Sequence, residues 1–418
     1  MQSPANNTQV PQSRPTVEVS PSLGDQTAHE TAESAVRNFS IAVGGPLYDL
    51  LLRFHLVRQT LPNVRRRIVA VLAVSWVPLL LLSLKDGLAF GHQVRIPFLY
   101  DFTVYGRLLL GLPLLLYAEL SIDPAIQQAV SEFVDARLVP NQELPGFESV
   151  LRRVRQMRDS WTPEVILLVL AFFPVFVFRH EWAAGGLTSW HTTAQGLSTA
   201  GWWYAVVSAP VMRYIAYRWV FRYFLWPILL WQISRLPLIL MPTHPDRAAG
   251  LNFLASTQKH FGILACALGC SVAGRVADMM VFEGARLTSF KAPLVGFVVL
   301  SVVLGLLPLA LWFPKLKQVR TDGLLDYGRF AKTYTESFDH KWIHGVPRPP
   351  ESMLGTPDLQ SLADLGNSFA FIENMRKAPI TRKLVQQLAG WTIIPLVPII
   401  VLGTPTAELV QEVMKLIM

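Results

Sequence analysis

The sequence predicts an all-α, polytopic helical membrane protein of about seven spans, or six if the last is re-entrant, with a helical cytoplasmic layer. Three observations predict it. Only 16% of the 418 residues are charged, against roughly 25% in soluble domains. Mean hydropathy is +0.35, and several charge-free runs approach the roughly 20 residues a helix needs to cross the hydrocarbon. Loop charge is also lopsided. The expected outer loops 85–102, 179–200 and 283–292 hold five Lys or Arg (Lys85, Arg95, Arg179, Arg286, Lys291), whereas 315–383 alone holds eleven, the bias of a cytoplasmic side. The net charge of +8 fits that bias and attraction to a bilayer with anionic headgroups, so nucleic acid is not the expected partner.

Residues 1–40 form a tail rich in Ser, Thr, Pro, Gln and Asn, the composition of disorder, with no apolar signal-like run. Residues 41–67 hold an interfacial amphipathic helix, in which Leu47, Leu51 and Phe54 share one face. Arg65, Arg66 and Arg67 precede the first span, Ile68 to Leu84, and put the N-terminus in the cytoplasm.

The membrane domain covers 68–314. Its second span, Thr103 to Ile122, carries Arg107 and Glu119 near its ends. Asp123-Pro124 then predicts a helix start and a cytoplasmic hairpin over 121–160, since Asp caps free amides and Pro fits a first turn. Thr162 opens the third span, through Phe178. The stretch Gly201 to Leu251 predicts a long basic helix over 201–241, bearing Arg213, Arg218, Arg222 and Arg235 and breaking at Pro242-Thr243-His244-Pro245-Asp246. This shaft leaves the bilayer and continues into the cytoplasmic layer.

The fifth span, Phe261 to Phe282, shows Ala265, Gly269, Ala273 and Ala277 every four residues, a stripe that admits a close neighbour. Cys266 and Cys270, one turn apart, are expected as reduced core thiols. Pro293 to Phe313 is an uncharged sixth span. Residues 315–383 form a cytoplasmic helical segment, with helices over 324–343 and 359–375. The stretch 384–418 holds a last span interrupted by Pro395 and Pro398, then a C-terminal amphipathic helix.

Two constellations carry candidate chemistry. His244 and Asp246, with His340 and His344 four apart on a helix, have the residue types and spacing of metal ligands; His260 and Asp339 lie nearby in sequence. Against that, the His-Pro-Asp turn also suits a helix cap. Within the spans, Arg107, Glu119, Arg213, Arg275 and Asp278 are ionisable at depth, where charges pair, snorkel or line an aqueous path. Arg275 and Asp278 are spaced to pair, and Arg107 with Arg213 would favour anions if they face a common cavity. Gly196-Leu197-Ser198-Thr199 resembles the nucleophile turn of rhomboid-type intramembrane proteases, but the last three spans contain no histidine to serve as base. Phosphate-binding and HExxH motifs are absent, and no cofactor is expected.

Three segments, GGPLYDLL, LPLILMPTHPDRAAGL and GTPDLQSLADLGNSFAFIENMR, resemble a family of multi-pass bacterial inner-membrane proteins to which no function is attached. The resemblance implies an inner-membrane location and supplies no catalytic residues. The residues therefore predict a channel or transporter subunit for small ions or solutes, assembled as a homo-oligomer. The alternatives are a non-catalytic scaffold and a metal-dependent membrane enzyme.

Overall fold

The computed structural model describes residues 34, 36, 39–42, 44–45, 64–91, 93–177, 188–193, 196–344 and 355–403. Most of the expected tail, the interfacial helix around Leu47–Phe54 and the C-terminal amphipathic helix lie outside them.

The described chain is mostly helical. α1 (Val64–Lys85) leads through a short loop to α2 (Phe102–Asp135), and α3 (Leu144–Arg158) turns back against the lower half of the bundle. α4 (Trp161–Val177) precedes a two-stranded hairpin, β1 (Thr192–Thr193) and β2 (Gly196–Leu197). α5 follows, built of Thr199–Trp203, a π-helical turn Tyr204–Ser208 and Ala209–Ser234. α6 (Phe253–Glu283) ends at Gly284, whose φ of 70° is the left-handed helix end that glycine tolerates, and α7 (Leu287–Ala310) follows and packs on the last apolar helix. α8 (Phe313–Trp342) and α9 (Pro357–Glu373) project as a hairpin, and α10 (Arg382–Gly403) returns along α6. Of these, α1, α2, α6, α7 and α10 are long and apolar enough to cross a membrane.

Two layers differ in their packing. Beside the α2–α3 turn, Phe133 packs on Phe147, Phe253 and Trp312 with ring centroids 5.2–6.2 Å apart, a dry core like that of a soluble protein. Elsewhere α4 and α7 expose Val165, Phe173, Val299 and Leu304, as surfaces facing hydrocarbon do.

Prolines inside the helices show how the bundle is joined. Pro78 has no N–H to give the carbonyl of Val74, four residues back, and that oxygen accepts the Trp203 indole N–H from α5 at 3.1 Å. Pro308 likewise frees the carbonyl of Leu304, which accepts the Tyr223 hydroxyl. In hydrocarbon an orphan carbonyl costs several kcal/mol, so each proline creates a specific docking point for its neighbour. Between α2 and α6 the backbones nearly touch. A Cβ on Gly106 would sit 2.3 Å from the Cys270 carbonyl oxygen, and one on Gly274 would sit 2.3 Å from that of Phe102. Gly269, from the expected small-residue stripe, instead faces Pro395 of α10.

The structure departs from the sequence expectations at four places. The shaft helix ends at Ser234, well before Pro242, because Leu236 precedes Pro237 and a residue before proline is driven out of the helical region. Asp123-Pro124 starts no helix: α2 runs through both, and the Asp123 carboxylate caps the N-terminal segment instead. α8 begins at Phe313 rather than near 324, directly after the sixth apolar helix. Arg275 pairs with Glu283 at 3.5 Å, two turns along one face, while Asp278 points to α2. Cys266 and Cys270 are buried and free, as expected.

Candidate functional site

Five ionisable side chains inside the spans were singled out by sequence, and the fold separates them into two groups. Glu119 lies between two guanidinium groups, Arg67 of α1 at 2.6 Å and Arg222 of α5 at 2.9 Å, with Arg222 only 4% exposed. That triad is a buried ion cluster joining three helices. Asp278 accepts the amides of Phe102 and Thr103 at 2.9 Å each and the Thr103 hydroxyl, so it caps the start of α2 from a neighbouring helix. Arg275 is half exposed beside Glu283. These three are structural.

Arg107 and Arg213 differ. Arg107 sits in the π-helical stretch Tyr105–Gly111 of α2 and donates to the Tyr204 hydroxyl at 3.2 Å. Tyr204 opens the π-helical turn of α5, so two wide helical turns face each other across one polar contact. Arg213, farther down α5, donates to the Ala171 carbonyl at 3.2 Å, in the turn loosened by Pro174. Neither forms an ion pair with a carboxylate among the described residues.

Around Tyr204 the loop hairpin closes the layer. Trp190 is fully buried, packs edge-on against Tyr204 and donates its indole N–H to Asp101 at 2.8 Å. Asp101 also accepts the Val104 amide, the first-turn cap of α2. His191 lies parallel to Tyr204, and burial followed by the nearby Arg107 charge pushes it down to about 4, so it is neutral at pH 7. The layer thus holds Arg107, a phenol and a neutral imidazole, with the carboxylates of Asp101 and Asp278 within electrostatic reach of Arg107 and no direct ion pair to it.

The cytoplasmic histidine set is arranged otherwise. Asp246 is wrapped by its own loop, accepting the amides of Ala248 at 2.7 Å, Gly250 at 3.2 Å and Asn252 at 3.0 Å, with His244 at 2.9 Å. Burial alone would raise the Asp246 carboxyl, but these amides and His244 together hold it below its usual range. Arg247 and Ala249 adopt φ of 55°, the strain of winding a loop so tightly. Arg376 locks the loop by donating to the carbonyl of Asp246 and to the Asn252 side chain. His344 bonds Asp339 at 2.8 Å near the tip of α8. No three His, Cys, Asp or Glu side chains are grouped as a metal site among the described residues. His260 bonds Ser121 at 2.9 Å beside a cleft of about 110 Å³ between α2 and α6.

Sequence reasoning missed Tyr204, Trp190 and Asp101, which complete the polar layer, and Arg376, which secures the Asp246 loop. The only sequence signal for Tyr204 was its place on the shaft helix one turn beyond Gly201, and aromatic residues there are ordinary. Comparison with protein-family models, curated proteins and solved structures gave no match.

Proposed function

We propose that the chain is a channel or transporter subunit of an inner membrane, carrying small anions past Arg107 and Arg213. In this reading α4 and α5 join the five long apolar helices to make seven spans. The N-terminus and the α8–α9 hairpin lie on the cytoplasmic side, in keeping with the excess of Lys and Arg in 315–383.

The observation that carries the proposal is that two arginines of the apolar helices bond only neutral oxygens directly, Arg107 the Tyr204 hydroxyl where two π-helical turns meet and Arg213 the Ala171 carbonyl farther down α5. A charge held at depth without a direct ion pair is costly, and a passing anion would supply one. Purified chain in liposomes should pass chloride or nitrate in preference to potassium. Arg107→Gln and Arg213→Gln should each cut that flux by roughly tenfold or more, about the weight of one unscreened charge in a low-dielectric layer. Cation flux equal to anion flux, or no flux in liposomes containing folded chain, would overturn it. Copies assembled around a shared axis are the expected form of the conducting unit.

A non-catalytic scaffold is the second reading. It is favoured by the α8–α9 hairpin, where Leu325, Phe330 and Leu359 stand about half exposed or more. In this reading Leu325→Asp with Phe330→Asp should abolish capture of a partner by the folded chain, and capture unchanged from the unaltered chain would count against it.

A further inference from the structure

The cleft beside His260 holds two opposite charges that do not meet. It opens between the second half of α2 and the first turns of α6, with about 110 Å³ of space. Gln128 and Glu132 line it from one helix, and Ser256, Lys259 and His260 from the other. Lys259 and His260 belong to a 3-10 turn that interrupts α6, so two neighbours in sequence both border the cleft. The His260 ring is held there by the Ser121 hydroxyl at 2.9 Å.

Neither Lys259 nor Glu132 has an ion-pair partner among the described residues. Glu132 lies about three turns, or roughly 16 Å, along α2 from Ser121, where His260 docks. The ammonium and the carboxylate thus mark opposite ends of the cleft. Between them the exposed Gln128 and Ser256 offer an amide and a hydroxyl. A ligand that suits these ends is itself dipolar, anionic toward Lys259 and cationic toward Glu132, since each part-buried charge gains by meeting its opposite. The surroundings add a direction. Three turns back along α2 from Gln128, on the same face, Tyr117 is about half exposed, as is Leu110 beyond it. Open apolar surface, then a cation, then a carboxylate is the order that complements acyl chains, phosphate and amine in a phospholipid.

We propose that the cleft binds the head group of a phospholipid bearing a primary ammonium beyond its phosphate. The phosphate lies against Lys259 and His260, the ammonium against Glu132, and the acyl chains along Tyr117. A quaternary ammonium has no N–H to give the carboxylate, and a head group ending in hydroxyls leaves its charge unanswered. Basic pockets between helices on the cytoplasmic side suit lipid head groups in general. That this cleft faces the cytoplasmic leaflet rests on the seven-span reading; the anion pathway plays no part in it.

The test titrates the full-length chain in detergent micelles with dioleoyl phosphatidylethanolamine, phosphatidylglycerol or phosphatidylcholine, and counts bound lipid by native mass spectrometry. One phosphatidylethanolamine should bind saturably, about threefold or more tightly than either other lipid, the weight of one half-exposed ion pair. Glu132→Gln should erase that preference and leave phosphatidylglycerol bound as well as before. Lys259→Gln should weaken both lipids. Free phosphoethanolamine should not displace the bound lipid at equal concentration. Should a variant fail to fold, the three lipids compared on the unaltered chain still decide. Equal binding of the three, or a phosphatidylethanolamine preference that survives Glu132→Gln, would overturn the proposal. Displacement by free phosphoethanolamine would overturn the lipid assignment and make the site one for a soluble phosphoester. None of these readouts involves flux, so failure of the anion pathway leaves them intact.

Discussion

Single side chains carry unusual weight in this bundle, because so many charges are buried in fixed pairs. Removing Glu119 leaves Arg67 and Arg222 facing each other with Arg222 almost wholly buried. Breaking a buried ion cluster by deleting one member typically costs about 3–5 kcal/mol. Glu119→Gln should therefore lower the thermal midpoint in detergent sharply, and a change of under a few degrees would show that the cluster is solvated. His191 sets a pH dependence. Folded, it stays neutral down to about 4; unfolded, it takes up a proton near 6.5. The unfolded state thus binds more protons between those values, so stability falls as pH drops through that window and levels off below about 4. The full effect is about 3 kcal/mol at the usual conversion from pKa to energy. Thermal melts at pH 7.5 and 4.5 should show the loss, and His191→Phe should flatten it. Asp246 acts at lower pH. Its depressed carboxyl contributes stability above the ordinary carboxylate range, and that contribution is lost as pH falls through its folded value. Several of these side chains were visible in the sequence as charges in apolar surroundings. Their partners were not, because Arg222 and Glu119 are 103 residues apart and periodicity says nothing of what faces what.

At the scale of helices, α2 and α6 meet backbone to backbone. Gly106→Ala would drive a methyl into the Cys270 carbonyl, and Gly274→Ala would do the same at Phe102. Backbone atoms cannot move aside as side chains do, so each should cost about 1–3 kcal/mol or more and push the helices apart. Proteolysis in detergent, followed over time, should show faster cleavage of both variants than of the unaltered chain; Gly296→Ala on α7, where a Cβ would meet nothing within 4 Å, serves as the control. Helix existence was legible in the sequence because apolar runs of the right length announce themselves, and α1, α2, α6, α7 and α10 fall where those runs lie. Helix ends were less legible. Asp123-Pro124 has the residues of a start, yet α2 passes through it, since tertiary bonds to Ser40, Ile41 and Ala42 occupy the carboxylate that would have capped. The end of α5 was signalled by Leu236-Pro237, but the more conspicuous Pro-rich turn at 242–245 drew the boundary too late.

For the whole molecule, composition announced long apolar helices and little else. Low charge and long apolar runs are compatible with a chain that meets hydrocarbon, while the arrangement of polar groups inside it depends on contacts between helices far apart in sequence. The sidedness proposed from charge bias can be checked directly. Reporter fusions after residue 344 and at the N-terminus should both register the cytoplasm, while one at residue 92 should register the opposite side; any other pattern would invert or break the seven-span reading.

The proline at position 78 has a consequence for how the chain is made. The oxygen it frees on Val74 accepts an indole N–H 129 residues later. At ribosomal speeds of about 5–20 residues per second, the first apolar helix must wait on the order of 10 s for its stitch. During that interval a bare dipole stands among lipid tails or in the insertion machinery. Biogenesis of this protein should therefore slow or stall when Trp203 is replaced by Phe, even where the finished bundle is scarcely weakened.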